Sequence, residues 1–238
     1  MSTALDAIVL AGGRASRLDG VVKPSLTSPD GRTTLRLTLD ACAAVGARRV
    51  IVVGPPEQLA GLLGPYEGRV EIVQEEPPWS GPARGIAAGL AALEVPPPND
   101  SADDPRTPTE AGFPTTTGDG TDSVHATTGA GEWVLVLACD MPQVVTGVRA
   151  LVEATLARDG VVAYASGRRH WLLGLYNRTA LAAACARLPR PGTGRRDPSA
   201  WELLGALDLA EVPLPDAVAA DLDTPDDLAR LGFSRGTA

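Results

Sequence analysis

Apolar residues fall in two alternating patterns along this chain. Short continuous runs are separated by longer stretches in which apolar residues recur at helical spacing. Residues 6–11, Asp-Ala-Ile-Val-Leu-Ala, predict a buried strand, and Arg49–Val53 and Val70–Val73 are similar runs. Trp133–Cys139, W-V-L-V-L-A-C, has the clearest strand pattern. Thr33–Val45 carries Leu35, Leu37, Leu39, Ala41 and Cys42 and stops near Gly46, which predicts a helix with a glycine end. Helices are also expected over Pro56–Leu63, Pro82–Leu93 and Val144–Ala157, the second opening on a proline that suits a first helical position. Strands alternating with helices imply a parallel, doubly wound α/β sheet. Ligands in such sheets bind beyond the carboxyl ends of the strands. Leu10-Ala11-Gly12 and Cys139-Asp140 both fall at such ends.

After Ala157 the pattern predicts strands at Val161–Ser166 and Trp171–Tyr176 joined by a Gly-Arg-Arg turn. Helices follow at Thr179–Leu188, Ser199–Leu207 and, after Asp-Thr-Pro, Pro225–Leu231. Residues 96–131 stand apart. Pro, Gly, Ser, Thr and Asp dominate there, and Phe113 and Val124 are almost the only large apolar residues. Such a segment buries too little apolar surface to offset its ordering entropy. The chain therefore reads as one domain over 1–238 carrying a disordered insertion at 96–131.

Composition narrows the function classes. The net charge of −8 argues against non-specific binding to nucleic acid or to an anionic membrane surface. An anionic nucleotide would need a local basic pocket. Aromatic residues are only 4% of the chain, so Ala, Val and Leu must fill the core. Cys42, Cys139 and Cys185 are widely spaced in apolar surroundings, without a C-x-x-C pair or a His/Cys cluster. That pattern suits reduced thiols in a cytoplasmic protein and does not suit a zinc site. No apolar run reaches the ~18 residues of a membrane span, and the N-terminus lacks the basic and apolar regions of a signal peptide.

The candidate chemistry lies in three places. Residues 10–24, L-A-G-G-R-A-S-R-L-D-G-V-V-K-P, follow the first strand. Glycines let backbone N–H groups approach phosphate oxygens closely, and Arg14, Arg17 and Lys23 supply positive charge. The spacing fits neither a P-loop nor a dinucleotide fingerprint. The competing reading is a glycine turn with solvated basic residues. Asp140, in A-C-D-M-P, is placed to ligate Mg²⁺, which needs only one or two carboxylates besides phosphate oxygens and water. A helix cap is the alternative role. Asp221 and Asp223, in D-L-D-T-P, share one face of an extended segment. Thr224 and Pro225 after them suit a helix start, which leaves capping as the alternative there too.

Four blocks in order, L-A-G-G…K-P, E-x-P…G-P, C-D-M-P and D-x-D-T-P, resemble the MobA-like molybdenum cofactor guanylyltransferases and their nucleotidyltransferase relatives. The resemblance covers most of the chain outside 96–131. It implies a three-layer α/β/α Rossmann-like nucleotidyltransferase fold with a mostly parallel sheet. It also implies transfer of GMP from GTP to molybdopterin, with release of pyrophosphate and Mg²⁺ as cofactor. Leu10, Ala11, Gly12, Gly13, Lys23, Glu76 and Gly81 would bind the nucleotide. Arg17, Lys23 and Asp140 would be catalytic, and Asp140 and Asp223 would hold the metal. Glu76 would face the guanine donors. Arg168, Arg169, Arg195 and Arg196 are candidates for the acceptor's phosphate. One position departs from the family: Val22 precedes the lysine where Asp is usual. Two other functions fit the same blocks. One is a transferase of this fold using CTP or a sugar or lactate phosphate. The other is a non-catalytic nucleotide-binding scaffold in cofactor assembly.

Overall fold

In a strand packed on both faces, successive side chains feed two different cores. The computed structural model, which describes residues 5–12, 21–95, 133–190 and 197–235, is organised in this way. Its elements in chain order are β1 (Leu5–Leu10), α1 (Thr34–Ala44), β2 (Val50–Val53), α2 (Pro56–Leu59), β3 (Glu71–Val73), α3 (Pro82–Glu94), β4 (Trp133–Ala138), α4 (Val144–Glu153), β5 (Gly160–Ala165), β6 (Arg168–Asn177), α5 (Arg178–Cys185), α6 (Ala200–Leu204), β7 (Leu209–Pro213) and α7 (Pro225–Leu231). The insertion expected at 96–131 lies outside the described residues.

All six residues of β1 are buried. Ala7 and Val9 join one core with Val50 and Val52 of β2 and Leu135 and Leu137 of β4. Leu35, Leu39 and Cys42 of α1 and Val144, Val148 and Leu151 of α4 close that side. Ile8 and Leu10 join the other core with Ile51, Val53, Val134 and Val136, covered by Ile86 and Leu90 of α3 and by α5 and α6. Burying each large aliphatic side chain contributes about 1.5–3 kcal/mol. The result is three layers, helices on both faces of a seven-stranded sheet.

The strand order is β3-β2-β1-β4-β6-β5-β7. β1 pairs in parallel with β2 and with β4, and β2 with β3. β6 is antiparallel to both neighbours, while β5 and β7 are parallel. The winding runs outward from β1 to β3 and then reverses to β4, so the crevice between β1 and β4 is the topological switch point.

Local choices fix the details. Thr33 caps α1 by accepting from the Arg36 N–H (3.1 Å), and the chain leaves the helix through Gly46 at φ +71°. Gly89 lets α3 lie directly on β1, because a Cβ there would stand 2.6 Å from Ile8 Cγ2. The ends of several elements differ from the sequence expectation. α4 stops at Glu153 rather than Ala157, and only a single α-helical turn followed by 3₁₀ geometry occupies 56–62. The β5–β6 turn is Ser166-Gly167, so both arginines belong to β6. β7 had no counterpart in the sequence pattern. It is a short edge strand ending on Pro213, with exposed Glu211 and Pro213 alternating with half-buried residues. Among the described residues no helix is long and apolar enough to cross a membrane.

Candidate active site

The carboxyl ends of β1 and β4 open on a cavity of about 580 Å³. Leu10, Ala11 and Gly12 line one side and Cys139 and Asp140 the other. The ladder holds the two ends together, with the Cys139 N–H donating to the Leu10 carbonyl (3.2 Å). Gly81, Pro82 and Gly85 bring the N-terminus of α3 to the same cavity. A helix N-terminus presents unpaired N–H groups and partial positive charge, which suits an anion. Gly81 holds φ +85°, a turn a residue with a Cβ takes only at a cost.

Lys23 reaches the cavity from a single 3₁₀ turn, Lys23–Ser25. Its backbone is anchored at the start of α1, where the Thr34 hydroxyl donates to the Lys23 carbonyl (2.7 Å). Its ammonium donates to Asp140 Oδ2 (2.7 Å) and also to Asp223 Oδ1. Burial works against the charge on Lys23, but Asp140 and then Asp223 outweigh it, and the pKa is raised. Lys23 therefore stays a cation across the neutral and basic range.

The C-terminal segment brings Asp223 in. The Leu222 N–H donates to the Asp140 carbonyl (3.0 Å). Leu222 packs with Leu26 and Leu228, with Val21 and Phe233 around them. Thr27 forms a bridge with Ser234. These contacts tie the lysine turn to the segment that leads into α7. Asp221, one residue before Leu222, faces a second cavity beside the first. Burial, then Asp140 and Asp223, push its carboxyl up to about 6.

Neither Asp140 nor Asp223 acts as a helix cap. The N-cap of α4 is Gln143, with no side-chain bond. The N-cap of α7 is Thr224, which forms a capping box with Asp227. The carboxylates of Asp140 and Asp223 turn instead to Lys23. Among the described residues no three His, Cys, Asp or Glu side chains form a metal cage. Asp140 and Asp223 nevertheless converge on one cation, the Lys23 ammonium, and two carboxylates suffice for Mg²⁺.

The loop after β3 holds a difference from the sequence expectation. Glu76 is exposed and does not line the cavity, whereas Glu75 is buried and does. The Glu75 carboxylate accepts from the Trp79 N–H (3.0 Å). Trp79 lines the cavity with its backbone at φ +65°, a conformation a bulky residue seldom holds. The chain bends at Glu76, which turns its side chain away from that of Glu75. Spacing to Gly81 selects the acidic pair, and the fold decides which member faces inward. Val22 contributes its carbonyl, which accepts from the Ser25 N–H and hydroxyl. Gly13, Arg14, Arg17, Arg195 and Arg196 lie outside the described residues. His170 sits at the second cavity, its Nε2 3.3 Å from the Ala165 carbonyl, and burial and Arg168 lower its pKa.

Comparison with known proteins gives three kinds of likeness. The molybdenum cofactor guanylyltransferase of Burkholderia orbicola (strain MC0-3) is 32% identical over 96 residues, which is 40% of this chain and 46% of that protein. The molybdenum cofactor guanylyltransferase of Burkholderia cenocepacia (strain HI2424) is 33% identical over 90 residues, 37% of this chain and 43% of that protein. The chain thus matches about half the length of these curated relatives. Among solved structures, Rv0371c from Mycobacterium tuberculosis H37Rv superposes with TM-score 0.60 at 22% identity over 97% of this chain and 98% of that one. Its manganese complex gives TM-score 0.57 at 21% identity over 96% and 98%. A nucleotidyl transferase from Methanothermobacter thermautotroptrophicus (Mth528) gives TM-score 0.60 at 17% identity over 97% and 96%. At these identities the structures testify to the fold alone. Residues 7–208 match the family described as the MobA-like NTP transferase domain, and the chain belongs to that family.

Proposed function

We propose that this chain is a nucleotidyltransferase that transfers GMP from GTP to molybdopterin. A terminal phosphate oxygen of the acceptor attacks the α-phosphorus of GTP. The new P–O bond forms as the bond to the β-phosphate breaks, and pyrophosphate leaves. The observation that carries this reading is the Lys23–Asp140–Asp223 cluster at the β1–β4 switch point, of which Lys23 and Asp140 line a cavity of about 580 Å³.

Each part has a physical task. Gly12 and the N-terminus of α3 present backbone N–H groups at the cavity, where the triphosphate would lie. Lys23 stabilises the charge that develops as pyrophosphate departs, a fixed cation that needs no reorganisation at the moment of reaction. Asp140 and Asp223 would hold Mg²⁺. When bound, Mg²⁺ neutralises the phosphate charge and orients the oxygens. Arg17, on the glycine-rich loop, adds a second cation in this reading. Glu75 meets the N1–H and N2–H₂ donors of guanine, a pairing that adenine and cytosine do not offer. The half-length match to guanylyltransferases supports the choice of GTP and molybdopterin.

The test is pyrophosphate release from Mg·GTP or Mg·CTP, each with molybdopterin or a sugar phosphate. Release is expected with GTP and molybdopterin. Turnover with CTP but not GTP would overturn the base assignment. GTP binding without pyrophosphate release would favour a scaffold.

A further inference from the structure

The cavity of about 580 Å³ has two unlike walls. Lys23 and Asp140 bring charge to the β1–β4 end, while Glu75, Pro78 and Trp79 line it from the loop after β3. β3 lies two strands from β1, roughly 10 Å at the usual strand spacing. A ligand that spans the cavity therefore meets fixed charge at one end. At the other it meets an indole beside a single carboxylate.

The backbone of that indole is out of the ordinary. Among the described residues only Trp79 (φ +65°) and Ser166 (φ +51°) hold positive φ without being glycine. Ser166 has a simple reason. With Gly167 at φ +74° it makes the two-residue turn between β5 and β6, where positive φ at both positions matches the strand twist. Trp79 belongs to no hairpin. It stands between Pro78 and Ser80 on the way into α3. Burial does not account for it, since the residue is 39% exposed. Strained residues persist only where their surroundings hold them, and they gather at ligand sites. Two hydrogen bonds hold this one. Glu75 Oε1 accepts from the Trp79 N–H (3.0 Å), and the buried Ser80 donates its hydroxyl to the Pro77 carbonyl (2.6 Å). Glu75, which lines the cavity, thus also fixes the backbone that carries the indole.

We propose that Trp79 is a specificity-determining residue of the nucleotide site, its strained turn held so that the indole stacks on the face of a purine. Stacking rewards ring area and is blind to the donors on the base edge. Trp79 therefore selects purine over pyrimidine and leaves guanine against adenine to Glu75. Size class and edge pattern are divided between two residues joined by one hydrogen bond. This rests on the transfer reading above, which puts a base against Glu75.

The test is calorimetric binding of Mg·GTP, Mg·CTP and Mg·tripolyphosphate to wild type, Trp79→Gly and Trp79→Phe. Glycine takes the left-handed turn without steric cost, so Trp79→Gly removes the ring and keeps the loop. It should weaken GTP roughly tenfold, within the range of a single base–aromatic stack. CTP should lose less. Tripolyphosphate, which has no base, should bind as it binds wild type, which also reports an intact fold. Trp79→Phe should keep most of the GTP affinity, but the quenching of tryptophan emission by GTP should shrink. Unchanged GTP affinity in Trp79→Gly, or an equal loss for GTP and tripolyphosphate, would overturn the stack. So would undiminished quenching in Trp79→Phe, or a wild type that binds GTP no better than tripolyphosphate. Trp79-dependent GTP binding in a protein that releases no pyrophosphate with molybdopterin would sink the transfer reading alone. Release with an unchanged GTP affinity in Trp79→Gly would sink the stack alone.

Discussion

Asp6 and Asp140 sit at opposite ends of the β1–β4 pair, and each is a carboxylate with cationic partners. Asp6 is 2% exposed. It accepts from Arg48 Nη2 (3.2 Å), from the Arg49 N–H (3.3 Å) and from Arg178 Nη2. Protein groups close it in. Asp140 meets one ammonium, which it shares with Asp223, and it faces both cavities. The contrast shows that an acid–base pair is structural when its partners enclose it. It becomes available for chemistry when one side opens on space that a ligand can fill. Residue type does not distinguish the two cases.

The largest effect that tests this contrast is on stability at the closed end. Asp6→Ala leaves arginine charge without its buried partner and should cost about 3–5 kcal/mol, read by denaturant unfolding. Pyrophosphate release per folded molecule should hold. If unfolding is unaffected while turnover collapses, the contrast fails. Lys23→Ala tests the open end. It should lower kcat about 10²–10³-fold, the scale of losing one preorganised charge stabiliser. Its stability loss should be smaller than that of Asp6→Ala, since the Asp223 side chain is 45% exposed and stays hydrated.

Glu75→Gln against Glu76→Gln sharpens the picture of the cavity wall. Loss of a charged hydrogen-bond acceptor should raise the KM for GTP about tenfold in the first variant. The second should match wild type. Equal effects in steady-state assays would mean that the wall is misassigned. The smallest effect is expected at Thr224. Thr224→Ala removes the cap of α7 and should cost about 1 kcal/mol in thermal unfolding. Because the cap adjoins Asp223, kcat should also fall several-fold. A stability loss with unchanged kcat would show that Asp223 is positioned by its other contacts.

Much of the sheet was legible because its information is local. Continuous apolar runs marked β1, β2 and β4, and helical spacing marked α1 and α3. Asp-Thr-Pro announced α7 at its observed bounds. The hairpin of β5 and β6 was legible as two strands around a turn. That β6 inserts between β4 and β5, reversing direction in a mostly parallel sheet, was not. β7 escaped because an edge strand has one ladder and one weak face, and its pairing with β5 joins segments far apart in the chain.

What the sequence determined by itself was the kind of chemistry at each strand end: a glycine pair and a lysine after β1, and an aspartate after β4. Those follow from the neighbours of each residue. Tertiary structure alone decided which of these groups meet. Lys23 pairs with carboxylates 117 and 200 positions away. One backbone hydrogen bond, Leu222 to Asp140, and the Leu26–Leu222–Leu228 cluster bring them together. Tertiary structure also chose Glu75 over Glu76. Both acids follow β3, the chain bends at Glu76, and only the packed fold determines which carboxylate lies inward.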